Sequence, residues 1–248
     1  MSTVQESVQR NVLDVIQAAE KYLGAIRDER SDTTFSILGE KGTILYSSSK
    51  TLTSGGDYYF LGLNPGGSSE DGETLEESLR HLSSYTGNAY LDKQDPKANW
   101  SSGPTRKYNS GEHPFQKDYQ FLFHSLGVDP YGVCGTNLIF KRSENEASSE
   151  YHRLAEPCWE VHKAILRVIK PKRAIITFGM KPFDFIRLRP EMKGSESVPH
   201  PPTGRWDWKH SILEDGTKLV GIRHPSRSAR LEHNATIISQ LKEFLELT

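Results

Sequence analysis

Only two cysteines, Cys134 and Cys158, occur among the 248 residues. A disulfide framework and an all-cysteine metal centre are both excluded, and so few thiols point to a reducing, cytoplasmic setting. No apolar run approaches the ~18 residues needed to cross a bilayer. The opening MSTVQESVQRN lacks the basic segment and apolar core of a secretory leader, so no membrane partner is expected. Neither sign of charge is in excess: 31 Lys and Arg against 32 Asp and Glu leave a net −1, and the total names no partner. Also missing are an internal repeat, a linker separating two cores, and a Lys-Ser/Thr pair behind a glycine loop that would cradle phosphate. The dinucleotide fingerprint is absent too. One domain over residues 1–248 follows, with 1–56 as an extension of helix and hairpin.

What is present is local. Acidic residues crowd 70–77, whereas Arg and Lys gather at 141–142, 163–173, 187–193, 205–209 and 223–230. A basic face can hold nucleic acid without an overall excess of charge, although each cluster alone reads equally well as a solvated surface. Apolar residues from Val4 to Leu23 recur at helical spacing and predict an amphipathic helix over 4–28. FSILGEKGTILYS predicts a β-hairpin around Glu40-Lys41-Gly42. Asp57 to Leu63 is apolar almost throughout, as a strand covered on both faces must be. YGVCGTNLIF and RAIITFG predict further buried strands, and Lys218–Ile222 the second strand of a hairpin ending at His224. Helices are expected at 73–84, 115–127, 148–170, 181–189 and 230–245. Pro157 within the third of these must sit near a start or at a kink.

Helices alternating with buried strands predict an α/β fold, a three-layer α/β/α sandwich around a mainly parallel sheet. In such sheets ligands bind beyond the carboxyl ends of the strands. Asn64, Asn137 and His224 all fall there. Asn64, in YYFLGLNPGG, is either a turn former or a water-orienting amide beside backbone bared by Gly66 and Gly67. Asn137, inside an apolar strand, either ties loops together or offers a donor and an acceptor to the edge of a pyrimidine. His224 is either a surface group or an electrophile beside developing negative charge.

These residues carry a resemblance. GLNPGG (62–67) is similar to the Gly-x-Asn-Pro-Gly first motif of the uracil-DNA glycosylase superfamily, and HPSR (224–227) to the His-Pro-Ser loop that penetrates DNA. Between them HPFQKDYQFLFHSLGV, TNLIFKRSENE and CWEVHKAILRVIKPKRAIITFG resemble the iron–sulfur branch in order and spacing. The resemblance implies a monomeric, monofunctional DNA glycosylase acting on a flipped-out uracil or modified pyrimidine. In it Asn64 would orient water and His224 would steady the leaving base. Phe115 would stack on that base, with Leu63 beside it, and Asn137 would read its edge. Gly66, Gly67, Ser226, Arg227 and Arg230 would contact DNA. Repair and defence against phage are both implied roles.

The departures are specific. Two cysteines cannot hold the four-cysteine cluster, so neither metal nor cofactor is expected. Asn64 replaces the Asp of the fastest uracil enzymes, which implies a slower or differently tuned hydrolysis. Glycines stand where those enzymes place a Tyr that excludes 5-substituted bases. The stretch 85–112, with Tyr85, Tyr90, Trp100 and Tyr108, either encloses a larger base or is an aromatic-pinned surface loop. A silent DNA-binding relative and a nucleoside hydrolase on the same fold are the alternatives.

Overall fold

A computed structural model describes residues 2–28, 31–66, 70, 72–92, 95–98, 106–145, 147–200, 207–225 and 230–247. In chain order the elements are α1 (Ser2–Leu23), β1 (Ile26–Asp28), β2 (Thr33–Phe35), β3 (Tyr58–Gly62), α2 (Leu75–His81), α3 (Ala89–Asp92), β4 (Asp95–Ala98) and β5 (Arg106–Tyr108). They continue as α4 (Pro114–Ser125), β6 (Cys134–Asn137), α5 (Tyr151–Ile169), β7 (Ala174–Phe178), α6 (Met180–Arg187), β8 (Val198–Pro199), β9 (Trp208–Ile212), β10 (Lys218–Ile222) and α7 (Ala235–Leu245). Pro157 is carried in the second turn of α5. Among the described residues no helix is long and apolar enough to cross a membrane.

The central sheet has the order β6-β3-β7-β10-β9-β8. Its first four strands run parallel, and β9 and β8 add antiparallel edges. Strand alternation divides the core. Tyr59, Leu61, Ile175 and Leu219 pack with α1, α2, α5 and α6 on one face. Tyr58, Phe60, Ile176, Phe178, Val220 and Ile222 pack with α3, α4 and α7 on the other. This is the three-layer α/β/α sandwich that the apolar runs predict. The chain leaves β3 for β6 by way of α4 and leaves β6 for β7 by way of α5, on opposite faces. Strand order therefore reverses at β3, the kind of point at which open α/β sheets bind ligands beyond their carboxyl ends.

Two expectations are corrected. No hairpin forms over 35–47; β1 pairs with β2 instead. The run after β2 spends its backbone donors on the open edge of β6: Tyr46 N–H and Ser47 N–H both donate to Gly135 O, and Thr43 N–H to Phe140 O. An unpaired edge elsewhere in the fold out-competed the local turn. The stretch 85–112, expected as a loop insertion, contains α3 and the β4–β5 pair among its described residues.

Candidate active site

Register brings the predicted residues to one edge. Asn137 closes β6 and pairs with Gly62, the last residue of β3, so Asn64 stands two residues further along the neighbouring strand. Ile222 of β10 pairs with Phe178 of β7, and His224 follows two residues beyond. The four parallel strands thus end level, with Asn137, Asn64 and His224 above them.

Asn64 is oriented by its own donor end. Its Nδ2 donates to Ser143 Oγ (2.8 Å), Pro65 O (3.1 Å) and Ser143 O (3.4 Å). Two of those acceptors are carbonyls, which fixes which end of the amide carries nitrogen. The carbonyl Oδ1 is the end left to accept. Ser143 N–H returns a bond to Pro65 O (3.0 Å), and Arg142 Nη1 donates to Gly66 O (2.6 Å). The Asn-Pro-Gly turn is therefore fastened to the segment after β6. Leu63 joins the same lattice through its carbonyl, which accepts from Ile139 N–H (2.8 Å).

Asn137 is 4% exposed, and its Nδ2 is sealed from solvent with no hydrogen-bond partner among the described residues. Leaving such a donor unpaired costs about 1–3 kcal/mol, which calls for a reason. Its side chain shares a sheet face with Phe60, because Gly62 and Asn137 both lie one position on from the Leu61–Thr136 pair. Glycine makes the room: a Cβ at Gly62 would collide with Asn137 Oδ1, and one at Gly135 would stand 3.0 Å from the Tyr90 ring.

Phe115 enters from the amino end of α4. Pro114 opens the helix, His113 caps it by accepting from Phe115 N–H (3.2 Å), and Gln116 returns a bond to His113 N–H (3.1 Å). A capping box of this kind fixes the entry angle of the first turn. The Phe115 ring then lies 5.7 Å from the His224 imidazole, 5.5 Å from Phe178 and 5.3 Å from Tyr90, centroid to centroid. Tyr90 donates to Thr136 O (2.5 Å) and stacks on Tyr46 at 4.7 Å. Burial pushes the Tyr46 phenol up to about 12 and raises the Tyr90 phenol well above its ordinary value, so both are neutral near pH 7.

Arg230, expected on DNA, is engaged elsewhere. Its Nε donates to buried Asp118 Oδ1 (2.9 Å), which also accepts from Leu231 N–H (2.9 Å). This pins the far end of the loop that begins at His224 to α4, the helix carrying Phe115. Gly67, Ser226 and Arg227 lie outside the described residues. Residues that the sequence did not single out are Ser143 and Arg142, the glycines Gly62 and Gly135, and Tyr46. A readable signal existed for the glycines: small residues at alternate positions of buried strands clear one face.

The carboxyl edge thus gathers a buried amide (Asn137), a second amide held by its nitrogen (Asn64), and an aromatic cluster in which the Phe115 ring lies against the His224 imidazole. Two open clefts lie elsewhere, one of ≈ 550 Å³ between α1 and α5 and one of ≈ 310 Å³ around Asp57 and Asp129 at the amino ends of β3 and β6. Neither contains a comparable grouping. No protein-family model and no curated protein matches the chain.

Proposed function

We propose that the chain is a monofunctional DNA glycosylase that hydrolyses the N-glycosidic bond of a flipped-out pyrimidine, uracil or a 5-modified base, in the cytoplasm. The observation that carries this reading is that the buried Asn137 amide, which closes β6, and the Phe115 and His224 rings, 5.7 Å apart, gather at the carboxyl edge of the sheet. A base must leave its stack to reach such a site, and a flat ring with polar edges fits an aromatic wall facing an amide. Phe115 stacks on the base while Asn137 binds its edge. Cleavage breaks the C1′–N1 bond, the electron pair leaving with the base as the sugar becomes cationic. His224 steadies the charge gathering on the base oxygen. Asn64 Oδ1 accepts from a water whose oxygen adds to C1′, and the water's proton passes to solvent or the departing base. Oriented neutral dipoles serve such a charge-separated transition state without a strong nucleophile.

A base-release assay across DNAs carrying uracil, 5-hydroxymethyluracil or modified cytosines, followed by alkaline cleavage at abasic sites, tests the reading. Release by the full chain is expected, and Asn64→Ala should lower turnover by ~10²-fold or more while DNA affinity holds. Salt-sensitive DNA binding without abasic sites would instead make the chain a silent binder. Activity on free nucleosides alone would make it a nucleoside hydrolase.

A further inference from the structure

The loop that starts at His224 is held at both ends by α4. At its start the His224 imidazole lies 5.7 Å from the ring of Phe115, in the first turn of that helix. At its end Arg230 Nε and Leu231 N–H both donate to Asp118 Oδ1, each at 2.9 Å. Asp118 follows Phe115 at helical spacing i, i+3, so the two side chains are neighbours on one side of α4. The capping box at His113 and Gln116 fixes where that side points. Beyond Arg230 the chain enters a single 3-10 turn, Leu231–His233, and Leu231 is fully buried in the same cluster as Tyr119 and Phe178.

Stability alone does not explain Asp118. It is 1% exposed, and its Oδ2 is sealed from solvent with no hydrogen-bond partner among the described residues. A buried ion pair is often no more stabilising than apolar side chains filling the same space. What this one supplies is position. A single oxygen receives the side chain of Arg230 and the backbone of the next residue, which fixes the end of the loop in both place and direction. Arg230 is committed by the same contacts: its Nε is on Asp118, and its Nη2 is sealed with Glu232 Oε2 3.6 Å away. Two carboxylates flank its one positive charge, so the local field does not favour a phosphate there.

We propose that Asp118 is a positioning residue for base release. By fixing the end of the loop through Arg230 and Leu231, it sets the span within which His224 meets Phe115. Arg230 thereby serves the loop rather than the DNA backbone. The inference rests on the glycosylase reading and adds to it a residue that acts only through others.

The test measures base release by wild type, Asp118→Asn, Arg230→Gln and the double variant, well below each melting temperature. The DNAs are single-stranded oligonucleotides carrying uracil, 5-hydroxymethyluracil or 5-hydroxymethylcytosine. Each single variant should lower kcat by ~10- to 10²-fold with KM little changed, since small displacements of a catalytic group are felt strongly. The double variant should be no slower than either single one, because one shared contact is removed once. DNA binding by Arg230→Gln should keep the wild-type salt dependence, whereas a lost phosphate contact would lower the slope of log K against log salt by about one. A merely structural pair would lower the melting temperature and leave kcat of the folded protein intact, and that result would overturn the proposal. Costs that multiply in the double variant, or a reduced salt slope for Arg230→Gln, would also overturn it and leave the glycosylase reading standing. No release by wild type from any of the DNAs would overturn both. Should Asp118→Asn fail to fold, Arg230→Gln alone decides: a fall in kcat at unchanged salt slope is expected, and a rise in KM with a lower slope would put Arg230 on phosphate and sink the proposal.

Discussion

Gly62 stands where a single methyl group would be felt across the site. A Cβ there would collide with Asn137 Oδ1 and come within 3.4 Å of the Tyr90 hydroxyl. Gly62→Ala must therefore push aside the buried Asn137 amide. We expect a stability loss of about 1–3 kcal/mol, as for other overpacked core positions, and a fall in base release of ~10²-fold, because catalytic positioning tolerates little displacement. Gly132→Ala is the comparison, since nothing lies within 4 Å of its added methyl. Thermal melting and base-release rates of the two variants check this; equal behaviour would mean that Gly62 does not shape the site. At this scale Asn64, Asn137, Phe115 and His224 were legible, because polar or aromatic residues flanking apolar runs announce strand ends and helix starts. Tyr46 was not. Its place depends on pairing with an edge strand 88 positions away, which no local pattern encodes.

At the scale of elements, α5 and the end of β6 are joined by a neutral histidine. His162 is fully buried, accepting at Nδ1 from Tyr59 Oη (2.7 Å) and donating from Nε2 to Leu138 O (3.1 Å). A carbonyl can only accept, so Nε2 carries the proton. Burial lowers the His162 pKa from its ordinary value near 6.5 to about 4. Above pH 6.5 both folded and unfolded chains hold it neutral. As the pH falls from 6.5 towards 4, only the unfolded chain takes up the proton, so stability is lost through that window, by about 3 kcal/mol in all. Asp118 shifts the opposite way, its carboxyl raised chiefly by burial, so a variant is needed to isolate the imidazole. His162→Gln should be less stable than wild type at pH 7.5, and the gap should narrow towards pH 4.5 in urea unfolding. A constant gap would remove His162 from the pH response. Individual elements were legible where the apolar period was clean, as in β3, β7 and α4. The hairpin expected over 35–47 failed because its period suited two partners, and the edge of β6 offered more hydrogen bonds than a tight turn did.

At the scale of the whole molecule, both faces of the sheet must be covered for the parallel strands to persist, and the first helix belongs to that cover. The three layers were legible in the alternation of helices with doubly apolar strands. The strand order was not, because crossover direction is decided by packing rather than by any one segment. α1 packs along α5, with Val12, Val15, Ala19 and Leu23 in the same cluster as Tyr59 and Leu61 of β3. Its only described side-chain hydrogen bond runs from Asn11 Nδ2 to Leu52 O (2.9 Å), so its hold on the body is mainly apolar. Burying three branched side chains and one alanine is worth about 5–8 kcal/mol, against a total stability of roughly 5–15 kcal/mol for a domain. Deleting residues 2–23 should therefore abolish cooperative thermal unfolding, together with any base release that the full chain shows, even though none of the deleted residues lies at the carboxyl edge. A truncated chain that still melts cooperatively within a few degrees of the full one would make α1 an appendage. The cover of that face would then rest on α2, α5 and α6 alone.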